Sequence, residues 1–265
     1  MLSDKGLRLL QGRLDIPSLF IMGAVEGSLW LSEPVEVREA EQGGRQAVVA
    51  LMKSEDGTAY VDAVCEPSCP SEAAEAVVSY VTREGQAIVV SSRPELIDDT
   101  VRSNPGIYLA SQTAFLSMFV DERSLRSRPL EVHDVSIGLL DEHDLEAAED
   151  LLSEWSEDAA RRSRDLIMRG NALGAWHRER LVGIVGTYAT TARWWYLGTL
   201  YVRQEFRGRG IGSALAELAS REALRSAGEA VATVEVYNTT SRGLLARLGY
   251  RSASVDVVSL LQYRA

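Results

Sequence analysis

Lysine is nearly missing from this 265-residue chain: Lys5 and Lys53 are the only two among 28 basic residues, and the rest are arginine. Acidic residues number 38, so the formal net charge is −10 and no basic excess is available to neutralise a phosphate backbone. That argues against a nucleic-acid binder and suits a cationic or amine-bearing partner. Long apolar runs are missing too. The stretch from Ile16 to Leu31 is too short to span a bilayer and is broken by Glu26. No signal peptide or lipidation motif opens the sequence, so a cytoplasmic protein without a membrane partner is expected. Three histidines and two cysteines are too few and too scattered for a metal site, and no metal is expected. Cys65 and Cys69, in "CEPSC", read either as plain residues of a proline-bearing loop or as a disulfide.

What is present reads as alternating strands and helices, the mark of a mixed α/β fold. Leu7, Leu9, Leu10 and Leu14 open the chain with an amphipathic segment. "RQAVVALMK" and "GTAYVDAVC" predict two strands joined at Ser54-Glu-Asp-Gly57, a hairpin signal. Residues 71–83 predict a helix with an acidic first turn and a stripe of Val77, Tyr80 and Val81. "QAIVVSS" predicts a buried strand, "PELIDDTVR" a short helix stopped by Asn104-Pro-Gly106, and "IYLASQTAFLSMFV" another extended run. "DERSLRSRP", around 121–129, reads as a linker and divides the chain into domains 1–128 and 129–265.

The second part begins with the strand "EVHDVSIGLL" and the helix "DEHDLEAAEDLLSEW", followed by a polar segment to about Arg169. Residues 171–202 then predict three strands, turned at "HRER" and "TTAR". After a glycine-rich loop come a helix from Leu215 to Ala227, the strand "AVATVEVY", a helix from Thr239 to Leu248 stopped by Gly249, and a closing strand. Both parts contain the order strand, loop, helix, strand, helix, strand at similar lengths, as an internal duplication would. Their loops differ, since "CEPSCP" occupies the place that "RQEFRGRGIG" holds in the second.

That second loop is the densest feature of the sequence. Glycine at alternate positions carries an entropic cost that a ligand or a special turn must offset. It lacks the Gly-Lys-Ser/Thr of a nucleoside-triphosphate loop. Its spacing, Gly208-x-Gly210-x-Gly212 after an antiparallel run, also differs from a dinucleotide fingerprint. What remains is a helix N-terminus with several unpaired N–H groups, close backbone approach at the glycines, and two arginines, an anion cradle.

"LYVRQEFRGRGIGSAL" resembles the acyl-CoA-binding motif of the GNAT superfamily of N-acyltransferases, with Arg207 at the Arg/Gln position and Gly210 and Gly212 as the two small residues. "VEVYNTTSRGLLARLGYR" is similar to the family's next segment, matched at Asn238, Leu248, Gly249 and Tyr250. The plan of two parts with a single intact loop also resembles tandem GNAT and glycine N-acyltransferase proteins. The resemblance implies two tandem GNAT-like folds, the first degenerate. It implies that Arg207, Gly208, Arg209, Gly210, Ile211, Gly212 and Ser213 cradle the pyrophosphate of acetyl-CoA. Leu200, Tyr201 and Val202 would pair with the pantetheine beside a splay from the strand Val234 to Tyr237, with Asn238 near the cofactor.

The chain departs from that pattern at the two usual catalytic places. A glutamate common in the family falls at Gly198, and a tyrosine common in its last helix falls at Leu245. Glu235 is then the candidate base and Tyr237 the candidate acid, with Tyr201, Tyr196 and Tyr188 as further phenols; His177 reads as a surface turn residue. The expected activity is direct transfer of an acetyl group to a primary amine of a small molecule or amino acid. Peptide acetylation and a non-catalytic CoA-binding sensor are the alternatives, and a monomer or homodimer is expected.

Overall fold

A computed structural model describes residues 2–11, 13–26, 36–54, 57–66, 71–126, 132–168 and 171–265. Cys69, the Leu31 end of the first apolar run and part of the expected linker lie outside the described residues. The chain is mixed α/β and divides into two compact units. One comprises residues 1–118, 233–238 and 252–265, the other 119–232 and 239–251.

In the first unit, Ser3 and Asp15 cap helices α1 (Asp4–Leu10) and α2 (Ile16–Val25) by accepting N–H bonds from Gly6 and Ser18. Strands β1 (Glu36–Gln42), β2 (Arg45–Lys53) and β3 (Ala59–Cys65) form an antiparallel meander. The β2–β3 hairpin stands where the sequence predicts it. β1 has no sequence forecast, because "EVREAEQ" is almost wholly polar and exposed, an edge strand guarded by charge. Helix α3 (Ser71–Glu84) buries Ala73, Val77, Tyr80 and Val81, and the Tyr80 hydroxyl donates to the Met52 carbonyl at 2.7 Å. Strand β4 (Gln86–Ser91) runs parallel to β3, and α4 (Pro94–Ser103) leads into β5 (Ile107–Asp121). The last strand of the chain, β11 (Arg251–Tyr263), is antiparallel to β4 from Val257↔Ser91 to Gln262↔Gln86.

Among the described residues of this unit, the carboxylates of Asp15, Asp62 and Asp256 are buried. Asp256 accepts bonds from the Ile16 N–H and from the Ser117 and Ser254 hydroxyls. Burial still pushes its carboxyl above the ordinary range. Asp62 is fully enclosed, has one side-chain oxygen without a partner, and is pushed up more strongly by the same cause. Cys65 is buried and disulfide-bonded.

In the second unit, β6 (Ser136–Leu139), β7 (Leu173–His177), β8 (Arg180–Thr190) and β9 (Trp194–Val202) form an antiparallel sheet in that order. β10 (Glu229–Glu235) then pairs parallel to β9. The acidic segment after β6 gives α5 (Leu145–Ser153) as expected. The polar stretch behind it folds into two short helices, α6 (Glu157–Arg161) and α7 (Ser163–Met168), which its sparse apolar pattern hides. Leu151, Leu152, Ala160 and Ile167 from these helices pack with Leu181 and Ile184 of β8. Helix α8 (Ile211–Ala227) covers the alternate face, where a Cβ on Gly183 would lie 3.0 Å from Leu215. Helix α9 (Thr239–Arg247) ends at Gly249, as predicted.

Candidate functional site

The loop between β9 and α8 starts from a fixed point. Arg203 is 2% exposed. Its N–H donates to the Val182 carbonyl and its Nε to the Leu181 carbonyl, both at 2.9 Å. Its guanidinium also bonds Asp150 at 2.5 Å and Glu154, both from the end of α5. Sequence reasoning passes over this residue, although an arginine directly after an apolar strand end is a visible oddity. Arg180 completes the support by pairing with Glu205 at 2.9 Å.

After a single 3₁₀ turn over Gln204–Phe206, Gly208 and Gly210 take φ of +77° and +84°, a left-handed backbone that an L side chain would strain. Gly210 is the N-cap of α8 and offers no side-chain acceptor. The first intrahelical bond runs from the Ala214 N–H to the Gly210 carbonyl at 3.0 Å. The N–H groups of Ile211, Gly212 and Ser213 therefore precede the ladder at the positive end of a 17-residue helix. This helix starts four residues earlier than the sequence predicts, which draws Gly212 into its first turn.

The two loop arginines are tethered at one atom each. Arg207 Nε donates to the Val202 carbonyl at 2.9 Å while its guanidinium lies 5.4 Å from the Tyr201 ring centre. Arg209 donates to the Glu205 carbonyl at 3.1 Å and lies over Phe206. Exposed Trp155 stacks parallel to Tyr201 at 6.0 Å. Both arginines keep further N–H groups for an anion.

β9 is distorted just ahead of this loop. Within the second unit its pairing with β10 includes Trp194↔Glu229 to Leu197↔Ala232. Gly198 follows. There β9 carries a bulge against β8, between the pairs Gly186↔Gly198 and Ile184↔Tyr201. Thr199 inside the bulge has φ of +49°, an uncommon state for a β-branched residue. A Cβ on Gly198 would lie 2.0 Å from Tyr188 Cε2, so the Tyr188 ring fills the space above that glycine.

The structure thus gathers Leu200, Tyr201, Val202, Arg207, Gly208, Arg209, Gly210, Ile211, Gly212 and Ser213 around one strand end and one helix start. Glu235, Tyr237 and Asn238 belong to the first unit. Glu235 closes β10 and is exposed, Tyr237 is 88% exposed in the following turn, and the Asn238 N–H donates to the Glu235 carbonyl. The strand expected to reach Tyr237 ends two residues earlier. Leu245 is buried in α9, and His177 packs against Phe206 at the end of β7. Among the described residues no cluster of acids, histidines and cysteines could hold a metal ion.

An antiparallel sheet that ends in a bulged strand, a glycine turn and an uncapped helix leaves free backbone N–H groups at a helix start, where an anion could be held. Residues 139–250 match the acetyltransferase (GNAT) family, and this part of the chain is a GNAT domain. A Drosophila protein of solved structure is similar over 99% of this chain and 97% of its own, at 18% identity and a TM-score of 0.73. A GCN5-related N-acetyltransferase from Kribbella flavida covers 94% and 95%, at 16% identity and 0.60. A tandem GNAT protein from the clavulanic acid biosynthesis pathway covers 93% and 87%, at 15% identity and 0.58. No curated protein sequence matches the chain.

Proposed function

We propose that the protein is an N-acetyltransferase that moves the acetyl group of acetyl-CoA directly to a primary amine of a small molecule or amino acid. The observation that carries this reading is the uncapped start of α8, where three successive N–H groups, two left-handed glycines and two arginines converge. In this reading the backbone from Arg207 to Ser213 holds the pyrophosphate. The edge at Leu200, Tyr201 and Val202 pairs with the pantetheine amides as an added strand would. A backbone N–H near Tyr201 or Val202 polarises the thioester carbonyl and stabilises the oxyanion. Asn238 is a candidate for cofactor binding, and Glu235 and Tyr237 are candidates for proton transfer.

The first part of the chain, 1–128, is in this reading a degenerate GNAT-like copy, and 129–265 is the working domain. The setting is cytoplasmic; among the described residues no helix is long and apolar enough to cross a membrane. A sensor that binds acetyl-CoA without turnover is the second reading, favoured by the apolar residues at Gly198 and Leu245. Thiol release from acetyl-CoA separates the two when measured with free amino acids, spermidine, phenethylamine and short peptides. Tight acetyl-CoA binding without release above background for any of them refutes the enzyme.

A further inference from the structure

Three observations meet at one point of β9. The bulge begins at Gly198, Thr199 is held at a strained φ, and a tyrosine ring covers the glycine. Tyr188 Oη and Thr199 Oγ1 share a hydrogen bond of 2.7 Å. Thr199 is 7% exposed, and Tyr196 packs edge-on against the Tyr188 ring at 5.4 Å. No side chain could stand at position 198 while this ring is in place. A hydroxyl pair therefore occupies the bulge of the strand proposed to hold the thioester.

We infer that Tyr188, held by Thr199, is the proton carrier of the acetyl transfer, passing a proton from the acceptor nitrogen to the leaving sulfur. The inference rests on the acyltransferase reading above. A neutral amine attacks the thioester carbon, forming the N–C bond and sending the carbonyl π pair to oxygen. On collapse that pair reforms C=O and the C–S bond breaks with its electrons on sulfur. The nitrogen proton goes to Tyr188 Oη as the Tyr188 O–H proton goes to sulfur, so the phenol is neutral before and after. Amide and CoA thiol are the products, and no further reactant is needed.

The surroundings suit a carrier that keeps its own proton. Burial holds the phenol above its ordinary range, against the weaker pull of Thr199. The charged groups near it are Arg162 and Asp158, which are ion-paired at 2.5 Å and act on the phenol in opposite directions. A phenol in this state is a poor resting base, so the acceptor must arrive deprotonated and the phenol serves only the transfer.

The test is steady-state kinetics with acetyl-CoA and phenethylamine, or whichever amine of the panel turns over faster, on the full chain and three variants. Tyr188→Phe should lower kcat at least ~100-fold, the lower end of the range for a positioned acid–base group. The acetyl-CoA Kd should stay within about twofold. The solvent deuterium isotope effect on kcat should fall toward unity, which a merely structural role would not cause. Gly198→Ala keeps the phenol but drives its ring away, and should lose a similar factor. Thr199→Ser keeps the hydroxyl and should retain most of the turnover. Tyr188→Phe with kcat within twofold of the native chain, or with an unchanged isotope effect, overturns the proposal alone. No turnover by the native chain with any amine overturns the activity itself and the proposal with it.

Discussion

Residues 59–91 and 194–235 run through the same sequence of elements: a strand, a connection, a helix and a second strand parallel to the first. The parallel pairing includes Tyr60↔Ile88 to Ala63↔Ser91 in one and Trp194↔Glu229 to Leu197↔Ala232 in the other. The next residue of the first strand is Val64 in the one, fully buried, and Gly198 in the other, under the Tyr188 ring. The helix starts differ more. At α3 the Ser71 N–H and hydroxyl donate to the Gln42 side-chain oxygen at 3.2 and 3.3 Å, so a side chain of the same unit occupies the helix end. At α8 the N-cap is a left-handed glycine with nothing to offer. The same framework thus yields a capped helix end in one place and an uncapped one in the other, and side chains at a few positions decide which.

That comparison can be broken first at Gly210. Gly210→Val forces a β-branched residue to φ near +84° and should weaken acetyl-CoA binding more than ~100-fold by titration calorimetry. Unchanged affinity would place the pyrophosphate elsewhere. Gly212→Ala is the contrasting change. Its new Cβ meets only ordinary contacts at 3.6 Å from Leu244 and Val202, so the fold should persist in a thermal melt.

Arg203 tests whether the loop depends on its anchor. Arg203→Ala empties a buried site and strands the Leu181 carbonyl, while Asp150, being largely exposed, stays solvated. The expected loss is about 2–3 kcal/mol in denaturant unfolding, below the cost of breaking a fully buried pair. A loss under about 0.5 kcal/mol would show that the anchor is decorative.

Asp62 sharpens the picture of the first unit as a packed core. Its folded pKa lies above the unfolded value, so between the two the native state holds a proton that the unfolded chain has released. Stability therefore falls as pH rises through that window and stays reduced above it. Asp62→Asn, neutral throughout, should gain about 1–2 kcal/mol at pH 7.5 and almost nothing near pH 3.5. Equal gains at both pH values would rule out titration as the cause. The smallest effect is expected from Gln42→Ala, about 0.5–1 kcal/mol of stability through the lost α3 bond, with acetyl-CoA binding untouched.

Much of this was legible in the sequence because local signals and tertiary demands agree there. The Ser54–Gly57 hairpin, the α3 stripe and the stops at Asn104 and Gly249 each carry their own chemistry in adjacent residues. The glycine loop was legible for the same reason, since Gly208 and Gly210 need their φ whatever surrounds them. β1 escaped because an edge strand has little to bury. α6 and α7 escaped because helices of five and six residues are too short to show a period. The Tyr188 ring over Gly198 was out of reach for another reason. Gly198 reads in the sequence only as a missing acid, and the partner that fills its place comes from a neighbouring strand whose register no local pattern fixes.

We propose that one of these two similar frameworks keeps a cofactor site. The direct test is calorimetric titration of the full chain with acetyl-CoA, run beside the Gly210→Val variant. One site per chain, lost in the variant, is the expected result. Two sites per chain, or one that survives the substitution, would contradict it.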